Sequence, residues 1–151
     1  MGNIFDQDFR EFIQSLNDND VDYLLVGGYA VILHGYRRTT GDMDIWVDNT
    51  KENYIKLTKA FYEFGLPILD MTEENFLDSS KYDVFSYGRA PVTIDIMTRM
   101  KGCNFNDAKE LMQIIAEEEL LIKVINLHTL RQAKKASGRH KDLDDLEHLP
   151  E

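Results

Sequence analysis

The sequence predicts an α+β domain, an α/β-type mixed sheet flanked by helices. Three observations predict it. Apolar residues recur at helical spacing in several stretches, short apolar runs rich in β-branched residues interrupt them, and two of those runs alternate apolar side chains with aspartates. At 151 residues the chain is long enough for one core and too short for two. We read a core over about residues 21–125 and a C-terminal helical segment over about 126–151.

The elements follow in order. Phe5, Phe9, Phe12 and Leu16 form one stripe of an amphipathic helix over residues 4–17, and Asn17-Asp18-Asn19-Asp20 ends it with turn formers. Residues 21–26 read as a buried strand, broken by Gly27-Gly28, after which residues 29–36 make a short helix. A polar loop over 37–41 leads into a strand over 42–47. Asn49-Thr50 starts a helix that Gly65 stops. A loop and a short acidic segment, 72–76, come next. Residues 82–87 and 91–97 read as two strands joined by Gly88-Arg89-Ala90. The remaining pattern predicts a helix over 105–117, a strand over 120–124, and helices over 127–136 and 141–149.

Composition narrows the function classes. No apolar run is long enough to cross a bilayer, and the opening residues match neither a signal peptide nor the myristoylation pattern. The single cysteine, Cys103, suits a reducing compartment, so the expectation is a cytoplasmic protein with no membrane partner. A net charge of −10 argues against non-specific binding along nucleic acid. The charge is uneven. Lys123, Arg131, Lys134, Lys135, Arg139 and Lys141 occupy a run with no acid, which reads either as a solvated helix face or as a partner for an anion.

The aspartates carry the chemistry. Side chains at i and i+2 of a strand share a face, so Asp42 and Asp44 lie together, with Met43, Ile45 and Val47 on the other side. Asp95 repeats this pattern between Thr93 and Met97. If the two strands are neighbours, the three carboxylates meet on one patch, and only a cation relieves their repulsion. Oxygen ligands of this kind suit Mg²⁺ or Mn²⁺. A lone Asp-x-Asp is common on solvent-facing strands, but Asp is disfavoured in strands, so two such strands say more than one. Trp46 shares the acid face and reads as packed, or as a stacking platform for a base. Asp48 belongs to the strand end.

The order of these features resembles the polymerase-β-like nucleotidyltransferase superfamily: apolar strand, Gly-Gly, helix, acid-x-acid, and a later carboxylate. It is closest to the small bacterial proteins related to abortive-infection nucleotidyltransferases of toxin–antitoxin systems. The matching residues are Gly27-Gly28-Tyr29-Ala30, His34, Arg38-Thr39-Thr40, Asp42-Met43-Asp44, and Lys134-Lys135-Ala136-Ser137-Gly138-Arg139-His140-Lys141-Asp142. The resemblance implies that Asp42, Asp44 and Asp95 are the catalytic metal ligands. It implies that Gly27 and Gly28 approach the triphosphate of an NTP substrate, and that Lys134 and Arg139 meet phosphate. Arg38 and Thr40 either contact phosphate or fix their loop, and His34 reads as a structural, hydrogen-bonded residue.

The activity so implied is transfer of a nucleoside monophosphate to an acceptor hydroxyl, with release of pyrophosphate. The acceptor is a partner protein, a tRNA end or a small molecule; the acidic charge does not favour tRNA. The alternative is a partner-binding protein of the same fold, the antitoxin or regulatory half of a toxin–antitoxin pair, whose acidity suits a basic partner.

Overall fold

The structure, a computed structural model, describes residues 7–89 and 92–150. Phe5, Ala90 and Pro91 lie outside them. The chain runs α1 (Gln7–Asp18), β1 (Tyr23–Val26), α2 (Gly27–Leu33), β2 (Asp42–Val47), α3 (Lys51–Phe64) and α4 (Glu73–Leu77). It continues through β3 (Val84–Arg89), β4 (Val92–Met97), α5 (Phe105–Glu110), β5 (Gln113–Glu117), β6 (Leu120–Val124), α6 (Leu127–Ser137) and α7 (His140–His148).

Local chemistry sets many of the boundaries. The Thr50 hydroxyl accepts from the Asn53 backbone N–H at the start of α3, and Gly65 ends that helix at φ +92°, where a side chain would be strained. Asn126 caps α6 in the same way, and Gly138 closes it at φ +65°. The stripe of α1 is buried as expected at Phe9, Phe12 and Leu16, joined by Ile13. Phe12 meets Phe61 and Phe64 of α3 edge-on, at ring-centroid distances of 5.6 and 5.3 Å.

The six strands form one mixed sheet in the order β3-β4-β2-β1-β6-β5. Pairing is antiparallel for β1–β2, β3–β4 and β5–β6, and parallel for β1–β6 and β2–β4. The crossover places the two aspartate strands side by side, which is the neighbour relation the shared patch requires. Met43, Ile45 and Val47 are fully buried, and Trp46 on the opposite face is buried edge-on against Phe105 of α5.

Three expectations are corrected. The helix over 105–117 is a helix only to Glu110; residues 113–117 form the edge strand β5. Glu118 and Glu119 make its turn into β6 at φ +46° and +73°. That turn is held from α1, where Arg10 donates to the carbonyls of Glu117 and Glu118. The short helix after β1 begins at Gly27 itself and stops at Leu33. Gly88 and Arg89 belong to β3, with Arg89 opposite Val92.

Candidate active site

The register of β2 and β4 builds the site. Asp42 pairs with Thr93 and Asp44 with Asp95, so the two strands present a rung of facing carboxylates with Asp42 beside it. These acids lie in a cleft of about 500 Å³. Val26, Gly27 and Gly28 also line it, as do Asp83 and Val84 of the β3 end, Arg99 to Lys101 after β4, one side of α6, and residues 139, 141 and 142.

The electrostatics of the floor are unbalanced. The Asp44 carboxyl is pushed up to about 6, first by burial, then by repulsion from Asp95 and Asp42 and a hydrogen bond with Asp95, with Lys141 opposing. Asp95 Oδ1 is buried with no hydrogen-bond partner among the described residues. Asp42 Oδ1 accepts from the Thr93 hydroxyl at 2.8 Å. A buried orphan oxygen beside two more carboxylates is the donor set of a hard cation, so the residues present fit Mg²⁺ or Mn²⁺. Their ligand atoms do not all fall within 4.8 Å of one another. Among the described residues the group that does is Asp144, Glu147 and His148, exposed on α7.

The glycines serve the protein's own side chains. A Cβ on Gly27, at φ +66°, would run into the Asp44 carboxylate; a Cβ on Gly28 would lie 2.7 Å from Thr40 Oγ1 and 3.2 Å from an Arg38 nitrogen. Gly-Gly is therefore what lets Asp44 and the 38–40 loop press against the start of α2.

The expected phosphate contacts are distributed differently. Arg38 ion-pairs with Asp145 at 2.9 Å and is not among the cleft-lining residues, nor is Thr40, whose hydroxyl donates to the Asp42 carbonyl at 3.4 Å. Lys134 lines the cleft but is buried, and its amine meets Asp142 at 3.2 Å and Asp145 at 3.0 Å. Arg139 also lines the cleft, donating from Nε to Asp142 at 2.8 Å while 71% of its side chain stays exposed. Burial alone would push the Asp142 carboxyl up, but hydrogen bonds from Arg139, Ser137 and Lys134 outweigh it and hold the group well below the usual carboxylate range. The basic run of the sequence is thus partly neutralised by the helix that follows it.

His34 is structural: its Nε2 lies 2.7 Å from the Ile125 carbonyl. Trp46 is packed away from the cleft. Asp145, Arg99 and Lys101 carry no assignment in the sequence pattern. Asp145 sits in a helix of many charges and gives no signal of its own. Arg99 and Lys101 had one, two cations directly after the second aspartate strand.

The chain is similar over 92% of its length to 88% of a Thermotoga maritima protein whose crystal structure is described as "a putative nucleotidyltransferase", with a TM-score of 0.60 and 15% identity. No protein-family model matches the chain, and no curated protein does. The comparison shows the fold: a mixed sheet flanked by helices, shared with that structure.

Proposed function

We propose that the protein is a divalent-metal-dependent nucleotidyltransferase that moves a nucleoside monophosphate from an NTP to an acceptor hydroxyl. The observation that carries this reading is the Asp44–Asp95 rung with Asp42 beside it, short of compensating cations, at the floor of an open cleft. A purely structural cluster of acids would be neutralised by the protein, as Asp142 and Asp145 are. The fold shared with the Thermotoga maritima structure supports it.

In this reading Asp42, Asp44 and Asp95 hold Mg²⁺ or Mn²⁺. When bound, the cation neutralises the acids and polarises the phosphate oxygens. The chain's own residues orient the reactants. The triphosphate lies along the cleft wall that Gly27 and Gly28 line while they make room for Asp44 and the 38–40 loop. Arg139 faces its charge, Lys134 holds Asp142 and Asp145 behind that wall, and Arg38 and Thr40 fix the loop behind the acids. The acceptor oxygen forms a bond to the α-phosphorus, the bond from that phosphorus to the bridging oxygen breaks, and pyrophosphate leaves with the electron pair. The hydroxyl proton passes to solvent as the new bond forms.

The test is titration of ATP, CTP, GTP and UTP with and without Mg²⁺ on wild type and on Asp42→Ala/Asp44→Ala. Metal-dependent binding of one or more nucleotides, lost in the double variant, is expected. Binding that survives the double substitution removes the site assignment.

A further inference from the structure

Arg99 and Lys101 are exposed, line the cleft, and make no hydrogen bond or ion pair among the described residues. Exposed cations without an acid occur elsewhere among the described residues, Lys51 and Lys59 among them; what sets Arg99 and Lys101 apart is their place on the wall of the cleft that holds Asp42, Asp44 and Asp95. The loop that carries them is fastened. Gln132 donates to the Gly102 carbonyl at 2.7 Å, Met100 and Cys103 form a bridge, and a Cβ on Gly102, at φ +80°, would come within 2.7 Å of the Ala136 Cβ. The backbone therefore holds both cations at the cleft.

Their side of the cleft follows from register. Val26 pairs with Asp44, and Met97 pairs with Trp46, so Gly27 and Met97 lie on opposite sides of the Asp44–Asp95 rung along the strands. Phosphoryl transfer needs the attacking and leaving oxygens roughly in line across the phosphorus. With the pyrophosphate end of the donor on the glycine side, the acceptor enters from the Met97 side. Arg99 and Lys101 stand there beside Val84, Met97 and Met100.

We propose that Arg99 and Lys101 bind a phosphate group of the acceptor, so that the acceptor is a phosphate-bearing molecule and not a neutral protein side chain. The inference rests on the nucleotidyltransferase reading of the same cleft. The acceptor's phosphate is not consumed; it places the neighbouring hydroxyl in line. Two sources share this chemistry, a nucleic-acid terminus and a phosphorylated small molecule. A terminus needs only this lip of the cleft, which is compatible with an acidic surface elsewhere.

The experiment compares wild type, Arg99→Gln/Lys101→Gln and, as a charge control, Lys51→Gln/Lys59→Gln on the exposed side of α3. Each is loaded with Mg²⁺ and α,β-methylene-ATP, then titrated with a 5′-phosphorylated single-stranded RNA oligonucleotide and, separately, with glycerol 3-phosphate. The expected result is at least about a tenfold loss for one probe in the Arg99/Lys101 variant alone, with nucleotide binding within about twofold of wild type. If the oligonucleotide is the responsive probe, the slope of log K against log salt falls by about 0.7, the value for one phosphate neutralised on a single strand. If glycerol 3-phosphate responds instead, the source is a small molecule. The proposal is overturned if neither probe binds wild type, if the control variant loses as much, if binding is unchanged, or if nucleotide binding falls in parallel. Mg²⁺–ATP binding by Asp42→Ala/Asp44→Ala is read separately, so failure of the acceptor site and failure of the donor site are told apart.

Discussion

Two groups of aspartates, one on the floor of the cleft and one on α7 where Asp142 reaches its wall and Asp145 lies behind it, are treated oppositely by the fold. Asp142 and Asp145 on α7 are buried, yet Arg38, Lys134 and Arg139 meet them, and Asp142 is held well below the usual carboxylate range. Asp42, Asp44 and Asp95 on the sheet have no such partners in contact among the described residues, and Asp44 is pushed up to about 6. The difference separates charge that holds the structure together from charge the structure leaves open. A buried carboxylate is tolerated when its countercharges come from the chain; one left short of them marks where a cation from solution belongs.

The comparison breaks most visibly at Asp145. Replacing it with Ala leaves Arg38 and Lys134, with 14% and 7% of their side chains exposed, facing each other without their shared acid. Loss of one member of a buried ion network costs about 3–5 kcal/mol, and urea denaturation of Asp145→Ala should show a drop of that order. A loss below about 1 kcal/mol would mean that the network is not structural.

Asp44→Asn should do the reverse. The Asp44 carboxyl has a folded-state pKa raised from 3.8 to about 6, so between these values the native state binds more protons than the unfolded state. Stability from this group therefore falls as pH rises through that window, and the penalty is complete above about pH 6. Removing the charge should stabilise the metal-free protein at pH 8 by an amount on the order of 2 kcal/mol, a gain that vanishes below pH 4. Asp142 has the opposite sign: its depressed pKa contributes stability that is present above the unfolded value and lost as pH falls below it. Thermal melts of wild type and Asp44→Asn across pH 3–8 test the Asp44 sign as the difference between the two proteins. Mg²⁺ should raise Tm at pH 8 in wild type and leave Asp44→Asn unmoved.

The sheet acids were legible in the sequence because a strand's period of two is a local property, and the alternation at 42–47 and 92–97 shows it directly. The fastening of α3 was legible for the same reason, since Thr50 and Gly65 act within a few residues of themselves. What stayed hidden depends on contacts far along the chain. β5 ends in a turn of two glutamates at positive φ, held by Arg10 more than a hundred residues upstream, and nothing local in 113–119 announces a hairpin. Asp145 looks like one more acid of a solvated helix until Arg38 reaches it. The basic run at 123–141 suggested cations free for phosphate, but the acids that occupy two of them come directly afterwards on α7. The glycine pair was legible as a signal, yet its use was not. Close approach of Asp44 to Gly27 is a tertiary fact.

Gly27 gives the next effect in size. Gly27→Ala adds a Cβ where the Asp44 carboxylate lies, at a φ of +66° that strains any side chain. The expected cost is about 1–3 kcal/mol, with metal-dependent nucleotide binding lost because Asp44 must move. If the same change weakened nucleotide binding while Asp44→Asn did not, the glycine would act on the ligand directly and not through the acid.

The smallest effect belongs to Thr93, the residue that fastens Asp42. Its hydroxyl donates to Asp42 Oδ1 at 2.8 Å, so Thr93→Val removes one charge-assisted hydrogen bond from a half-buried pair and keeps the β-branched shape the strand prefers. Stability should fall by about 1 kcal/mol, and Mg²⁺-dependent nucleotide binding should weaken only severalfold, because Asp42 keeps its place in the strand and loses only its orientation. Thr93→Ser restores the donor and should recover the affinity. Equal binding by the Val and Ser variants would show that the hydroxyl does not orient Asp42, and the site would then rest on the Asp44–Asp95 rung alone.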